Sequence, residues 1–310
     1  MGYEISEHNS KTMKILEFFM LVILISCETA EDNALEGFKD IRGNKIHYKT
    51  EGKGQELLFV HGGYLNLDMW DSQVAEFKKE YRTIRFSDIG HGLTQSSDTL
   101  IHGYEIIEHL TQSDVENKVT LIGLSWGAML CVDFALKHPE RVEKLILISP
   151  GLKGWNYFTD TLAAKNNALR QIAVQNGDVN KAARLFHQNW VIGPRRKSKD
   201  LDPAFSTKSL EMITNTMTDH WKEEWSKLDT SDVMNTLDQI TAPTYIIIGD
   251  QDAEDIKRIA DVYITNMTRS HKTVMPNAGH LINMEHTAEF NVLLKSILKE
   301  KPAGPFPKPR

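Results

Sequence analysis

The sequence predicts an α/β fold, with a mostly parallel, doubly wound sheet and one inserted helical block. Short apolar runs at 56–60 (ELLFV), 119–123 (VTLIG) and 244–249 (TYIIIG) are typical of strands covered on both faces. Segments with helical apolar spacing, such as 70–81, lie between them. Strands that alternate with helices along the chain imply parallel pairing, with helices on both faces of the sheet.

The elements follow one another in a regular order, with one interruption. We expect the α/β core to comprise 37–151 and 242–300, because the alternation of strands and helices is confined to these ranges. The intervening block 152–241 lacks strand-like runs and shows recurring helical spacing. The predicted strands are 38–42, 45–49, 56–60, 83–86, 119–123, 142–149, 244–249 and 271–275, and the predicted helices are 70–81, 104–110, one starting after Ser125, 158–175, 179–189, 207–218, 221–228, 252–267 and 282–298.

The composition indicates a soluble globular protein and excludes several function classes. The chain has 310 residues, of which 41% are hydrophobic and 25% are charged. The formal net charge is −6, and no basic stripe is interleaved with aromatic residues, so no nucleic-acid partner is expected. The two cysteines, Cys27 and Cys131, form neither a CxxC pair nor a Cys/His cluster. No metal site is therefore predicted.

The N-terminal segment has the build of a secretory signal. An unbroken apolar run at 18–26 follows Lys11 and Lys14 and is too short to span a bilayer. It ends in LISC at 24–27, which resembles the lipobox of bacterial lipoproteins, where the cysteine is lipidated and becomes the new N-terminus. This resemblance implies an exported protein of the bacterial cell envelope, attached to the membrane through a lipidated Cys27.

Two other interpretations of the segment 1–27 stay open: a cleaved signal that releases a periplasmic protein, and an amphipathic helix that remains attached. A signal that begins at Met13 would be shorter and more typical, so either the first methionine or Met13 is the start of the protein. Glu17 departs from the usual pattern, because acids are rare near the apolar run. The polar, acidic segment 28–36 is interpreted as a tether, and 301–310, with four prolines, as a disordered tail.

A candidate nucleophile lies in the segment 123–127 (GLSWG), which matches G-x-S-x-G. Between a predicted strand and a predicted helix, this pattern is typical of a nucleophile elbow. The flanking glycines suit a turn in which a Cβ would collide with its neighbours. The elbow lifts the Ser125 Oγ out of the sheet at the positive end of a helix. A glycine-rich turn with a solvated serine is the alternative.

A serine that attacks an acyl carbon needs a base and an acid that orients the base. His280 follows the last predicted strand, at the edge of the sheet where ligands bind in such folds. A solvated loop histidine is the alternative there. The segment 249–252 (GDQD) offers Asp250 and Asp252 as the acid. Either is able to face the histidine, and the other is expected to form a helix N-cap or an Asx turn.

The same reaction needs amide donors that hold the oxyanion. We expect these to be the backbone N–H of Trp126, directly after the nucleophile, and that of Gly63, after the strand ELLFV. His61 precedes two glycines at a strand end and is interpreted as structural, with hydrogen bonds to the backbone. Asp88 and His91 are interpreted as turn-forming residues.

The chain order nucleophile, acid, base resembles that of the α/β-hydrolases. The resemblance covers about 38–299: HGGYLNLDMW resembles the oxyanion loop, SDIGHGLT the D-x-x-G-x-G turn, GLSWG the elbow, GDQD the acid loop and AGH the histidine loop. The family usually places its acid last in G-x-x-D, which favours Asp252 over Asp250. The block 152–241 resembles the family's cap. Two features depart from the pattern: Leu124 replaces a common His, and the common Pro after GDQD is missing.

The resemblance implies a serine hydrolase that cleaves a small carboxylic ester or lactone through an acyl-enzyme and needs no cofactor. The implied triad is Ser125, Asp252 and His280, with the oxyanion held by Gly63 and Trp126. A serine nucleophile argues against the aspartate-dependent dehalogenases and epoxide hydrolases of this family.

Two alternatives remain open at the level of the sequence. A proline-iminopeptidase-like aminopeptidase is the first, because such enzymes share G-x-S-W-G and HGG, although Tyr64 and Leu65 stand where those enzymes carry Pro-Gly. A non-catalytic binding protein on the same fold is the second.

Aromatic residues of the helical block are able either to line an apolar pocket or to fill the block's own core. We expect most of them to lie in that core: Trp155, Tyr157, Phe158, Trp190 and Trp221.

Overall fold

The computed structural model describes residues 1, 34–221, 223–229 and 233–300. Apart from its first residue, the predicted signal 1–27 lies outside the described residues, and so do its Cys27 and the predicted tail 301–310. Within the described ranges, no helix combines the length and the apolar character needed to cross a membrane.

The centre of the fold is a sheet whose strands carry the predicted apolar runs. Burial of these runs supplies the main stabilising free energy of such a layer. The described strands are β1 (Leu35–Ile41), β2 (Asn44–Glu51), β3 (Glu56–Val60), β4 (Arg82–Phe86), β5 (Val119–Leu124), β6 (Val142–Ile148), β7 (Thr244–Gly249) and β8 (Ser270–Met275).

The strands pair in the order β1-β2-β4-β3-β5-β6-β7-β8. The pairs β1·β2 and β2·β4 are antiparallel, and all the other pairs are parallel. The chain passes from β3 to β4 on one side and then crosses to β5 on the other. In open α/β sheets, ligands bind at the carboxyl ends of the strands beside such a reversal. This topology confirms the predicted fold class.

Helices cover both faces of the sheet. One apolar cluster contains buried residues of α2, α3 and α7, and the other contains those of α1 and α9. The predicted last helix is divided into α8 and α9, with one residue, His286, between them. The helices are α1 (Asp71–Phe77), α2 (Gly103–Leu110), α3 (Trp126–Lys137), α4 (Thr161–Gln175), α5 (Val179–His187), α6 (Pro203–Asp219), α7 (Glu254–Asn266), α8 (Ile282–Glu285) and α9 (Thr287–Lys299).

The first strand begins earlier than predicted. Leu35 and Glu36, which the sequence assigned to a tether, pair with Thr50 and Lys49 in the β1·β2 ladder. The Glu36 carboxylate also accepts a hydrogen bond from His47 Nε2 at 2.8 Å. These contacts explain why an acidic, polar stretch forms an edge strand.

The helical block between β6 and β7 forms a cap made of α4, α5 and α6, with a π-helical turn at Gln188–Ile192. The prediction of a helix over 221–228 is wrong. The described part, 223–229, contains no helix, and it is extended at Lys227, which forms a parallel β-bridge with His102. Its Lys227 N–H donates to the Ile101 carbonyl at 2.8 Å, and its Lys227 carbonyl accepts from the Gly103 N–H at 3.0 Å. Backbone groups that pair with the core in this way are not free to form a helix.

Candidate active site

The predicted elbow has the geometry that its glycines imply. Ser125 lies between β5 and α3 with φ 53° and ψ −107°, a backbone conformation that costs a non-glycine residue about 1–3 kcal/mol. A Cβ on Gly123 would lie 2.5 Å from the Gly127 carbonyl oxygen, and a Cβ on Gly127 would overlap the Val60 carbonyl oxygen. Both flanking positions therefore require glycine, and the serine is held at the N-terminus of α3.

The predicted base is paired with a buried carboxylate. His280 Nδ1 lies 2.9 Å from Asp252 Oδ2 and 3.1 Å from Oδ1. Only 4% of His280 and 3% of Asp252 are exposed. Because a carboxylate accepts hydrogen bonds, Nδ1 carries the proton and Nε2 is left as an acceptor. No hydrogen bond joins Asp250 to His280 in the described part of the chain, so Asp252 is the carboxylate that orients the imidazole.

The loops that carry these two residues touch each other. Gly249, at the end of β7, lies so close to the Ala278 carbonyl that a Cβ there would overlap it. The Gln251 N–H also donates to this carbonyl, at 2.9 Å. The relative position of acid and base is therefore set by backbone contacts as well as by the pair's own hydrogen bonds.

A salt bridge ties the cap to the histidine loop. The Arg196 guanidinium donates to both carboxylate oxygens of Glu285, at 2.5 and 3.2 Å. Glu285 also accepts from the Gly279 N–H at 2.8 Å, next to His280. This contact was not predicted from the sequence. The basic segment 193–197 was the only signal for it, and nothing in the sequence indicates its partner.

Four of the predicted site residues line one cavity of about 290 Å³, namely Ser125, His280, Gly63 and Trp126. Asp252 is not on its wall. Most of the lining is apolar, and several aromatic side chains come from the cap. The remaining lining residues are Gly62, Tyr64, Leu65, Leu124, Met129, Gly151, Tyr157, Phe158, Arg170, Phe186, Trp190, Val191, Ile213, Trp225, Ile256 and Leu281.

The expectation that most of the cap aromatics fill its core is wrong for three of the five. Tyr157, Phe158 and Trp190 line the cavity, and the Trp190 ring centroid lies 5.2 Å from that of His280. Trp155 and Trp221 are absent from its wall. The apolar spacing of these residues gave no indication of which face of the cap meets the core.

The two predicted amide donors lie next to each other. A Cβ on Gly63 would come within 3.9 Å of the Trp126 Cβ. Among the described residues, neither backbone N–H donates to another group. The Tyr64 N–H, in contrast, donates to His91 Nε2 at 3.1 Å. Gly63 and Trp126 both line the cavity, so their N–H groups are available to a group that enters it.

His61 has the structural role that the sequence predicts. Its Nδ1–H donates to the Gly62 carbonyl at 2.8 Å, and its Nε2 accepts from the Asp88 N–H at 2.9 Å. Burial lowers the pKa of His61 to about 4 and holds the pKa of His91 well below its usual range. Both imidazoles are therefore neutral at pH 7. In the described part of the chain, no group of His, Cys, Asp or Glu side chains is arranged to hold a metal ion.

Asp88 forms a turn, as predicted, but its side chain has a further role that the sequence did not show. The Trp126 indole N–H donates to Asp88 Oδ2 at 2.8 Å, and the Ser226 hydroxyl donates to the same oxygen at 2.9 Å. Asp88 is fully buried, and burial raises the pKa of its carboxyl to about 6. The nucleophile loop and the cap's extended segment 223–229 therefore share one buried acceptor.

Trp225 of the same extended segment packs against the site. Its ring centroid lies 5.1 Å from that of Trp126 and 4.6 Å from that of His91. A Cβ on Gly63 would come within 2.8 Å of its ring. One cap residue thus contacts both loops that present a free amide to the cavity.

Comparison with known proteins agrees with this geometry. The model of the alpha/beta hydrolase fold family matches residues 56–287, which is most of the chain. A carboxylesterase from Bacillus subtilis shares the fold with a TM-score of 0.67 at 20% sequence identity, covering 86% of this chain and 92% of that structure.

Three relatives illustrate the range of named activities. The chain is 31% identical to a cis-3-alkyl-4-alkyloxetan-2-one decarboxylase of Shewanella oneidensis, over 37% of this chain and 38% of that protein. It is 23% identical to a pimeloyl-acyl-carrier-protein methyl ester esterase of Nitrosomonas europaea, over 76% of this chain and 92% of the esterase. It is 26% identical to a proline iminopeptidase of Thermoplasma volcanium, over 86% and 97%. The extent of the family match establishes that the chain belongs to the α/β-hydrolase fold family.

Proposed function

We propose that this hydrolase cleaves a carboxylic ester or lactone through an acyl-enzyme, with Ser125 as the nucleophile, His280 as the base and Asp252 as the orienting acid. The observation that carries the proposal is the convergence of an elbow serine and a carboxylate-paired histidine on one cavity. A non-catalytic binding protein would have no need for a strained serine and an oriented imidazole on the wall of one cavity.

The first half of the reaction forms the acyl-enzyme. His280 Nε2 takes the proton from the Ser125 hydroxyl, and the oxygen attacks the carbonyl carbon of the ester. The negative charge that develops on the carbonyl oxygen is stabilised by the N–H groups of Gly63 and Trp126. The tetrahedral intermediate then expels the alcohol, which receives its proton from His280.

The second half releases the acid. His280 deprotonates a water molecule, which attacks the acyl-enzyme carbonyl, and the Ser125 oxygen leaves with the proton that the imidazole returns. Asp252 keeps the imidazole in the tautomer with Nδ1 protonated and stabilises its cation. Because Asp252 and His280 are almost fully buried, little solvent weakens this interaction.

The chemistry of the cavity wall favours an ester over an aminopeptidase substrate. An aminopeptidase must bind the ammonium group of its substrate, which normally requires a carboxylate. No Asp or Glu is present among the described residues that line the cavity, and one of them, Arg170, is a cation. An aminopeptidase is the second candidate to be tested, because the chain is similar to a proline iminopeptidase and contains the GLSWG pattern.

A pair of substrates and an active-site label test the proposal. We expect turnover of short p-nitrophenyl esters and none of prolyl-arylamide, with labelling of Ser125 by a fluorophosphonate. The Ser125→Ala variant should lose both the activity and the label, whereas Ser72→Ala, at an exposed position of α1, should keep them. Labelling that survives in Ser125→Ala, or turnover of the arylamide alone, would contradict the proposal.

A further inference from the structure

Among the described residues of the cavity wall, one carries a permanent positive charge. Arg170 projects from α4 of the cap and lines the same cavity as Ser125 and His280. Its Nε and Nη2 groups donate to Asn167 Oδ1, one turn earlier in the helix, at 3.3 and 3.1 Å. In the described part of the chain, no carboxylate lies within salt-bridge distance of this guanidinium.

Two other arginines of the cap have acidic partners. Arg195 is paired with Asp160, and Arg196 is paired with Glu285. Among the residues that the structure describes, Arg170 has only a neutral amide oxygen as its partner. A guanidinium has five N–H donors. Only two of these groups are engaged by Asn167, so the side chain keeps donors for a group that enters the cavity.

The surroundings of Arg170 increase the effect of its charge. The cap contributes Tyr157, Phe158, Phe186 and Trp190 to the same wall. Apolar walls displace water, so a charge pair formed there is stronger than one formed on an open surface. The planar guanidinium fork also matches the two oxygens of a carboxylate.

We infer that the substrate of this hydrolase is an ester or lactone that also carries a free carboxylate, and that Arg170 binds this carboxylate. The inference rests on the proposed serine-hydrolase function and names the substrate class for the same site. The hydrolysed bond lies at Ser125, and the free carboxylate stays intact at the cap. The free carboxylate belongs either to the acid part or to the alcohol part of the substrate.

Two matched pairs of substrates separate these cases. For the acid part, p-nitrophenyl hydrogen glutarate is compared with p-nitrophenyl pentanoate. For the alcohol part, 4-acetoxybutanoate is compared with pentyl acetate in a pH-stat. Within each pair the reacting carbonyl is the same in type, and the main difference is the charge. The measured quantity is the ratio of kcat/KM for the anionic substrate to that for the neutral one.

Substitutions then show which side chain causes the preference for the anionic substrate. We expect Arg170→Gln to lower the ratio about 10- to 100-fold in one of the two pairs, because a charge-assisted hydrogen bond is lost. Arg170→Lys should keep part of the preference, because it keeps the charge but loses the fork. Arg184→Gln is the matched control, since Arg184 is an exposed arginine of the cap outside the cavity wall, and it should leave both ratios unchanged within about twofold.

The outcomes separate this inference from the proposed function. Ser125-dependent turnover of the neutral esters, with ratios that Arg170→Gln does not change in either pair, overturns the inference and leaves the proposed function standing. Failure to turn over any of the four substrates, together with no fluorophosphonate labelling, overturns both. Thermal unfolding of each variant checks that a lower ratio does not come from a misfolded cap.

Discussion

Replacing Asp88 by Asn should remove a loss of stability that occurs as the pH rises. Burial raises the pKa of this carboxyl from 3.8 to about 6. An acid whose pKa is raised by folding stabilises the folded state only while it is protonated. As the pH rises from 4 to 7, the unfolded chain releases the proton first, and the wild-type protein loses stability. At 1.36 kcal/mol for each pKa unit, the loss over this range is about 2–3 kcal/mol.

The asparagine variant isolates the contribution that ionisation of Asp88 makes to the pH dependence of stability. Its side-chain oxygen still accepts from the Trp126 indole and the Ser226 hydroxyl, but the side chain does not ionise. Any constant penalty of the substitution is the same at every pH and cancels in the comparison. Asp133, a second carboxyl whose pKa burial raises to about 6, is present in both proteins and also cancels.

Urea unfolding at intervals from pH 4 to pH 7 provides the measurement. The free energy of unfolding of the wild type, minus that of Asp88→Asn, should fall by about 2–3 kcal/mol over this range, with most of the change below pH 6. Two curves that run parallel across the range would show that Asp88 has no raised pKa. A difference that grows in the opposite direction would show that its ionised form is stabilised in the fold.

Three further variants test the site. Trp126→Phe removes a donor to a buried carboxylate. In urea unfolding it should cost about 1.5–3 kcal/mol more than Trp70→Phe, because the buried indole nitrogen of Trp70 has no partner among the described residues. Equal losses would contradict this. Asp252→Asn should lower kcat on an aryl ester by about 10³- to 10⁴-fold, because the amide favours the wrong imidazole tautomer, and a loss below tenfold would count against the triad. Gly127→Ala should fail to fold by circular dichroism, because its Cβ would overlap the Val60 carbonyl, whereas a folded, active variant would refute the steric account.

Local features of the fold were predictable because local sequence determines them. The buried strands were recognised from short apolar runs, and the elbow from two glycines beside Ser125. Gly123 and Gly127 have no room for a Cβ, so the steric requirement is visible in the sequence itself. The chain order of Asp252 and His280 placed both after strands, at the correct edge of the sheet.

Other features depended on contacts between residues distant in sequence. The extended form of 223–229 was missed because it follows from hydrogen bonds to 101–103, which no local pattern reports. The start of β1 was missed for the same reason, since a polar edge strand is stabilised by its partner strand. The predicted lipidation of Cys27 lies outside the described residues and stays a prediction.

The sequence by itself determined the order of the elements and the identity of the candidate nucleophile and base, because strand runs, tight turns and chain order are local properties. Only the tertiary structure decided that Asp252, which the family pattern favoured over Asp250, meets His280. It also decided which aromatic residues of the cap face the cavity, and that Arg170 faces it without an acidic partner among the described residues. The first depends on how two loops of the core pack at the edge of the sheet, and the other two depend on how the cap packs on it. Packing joins residues about 30 to 110 positions apart along the chain, a range over which apolar periodicity carries no information.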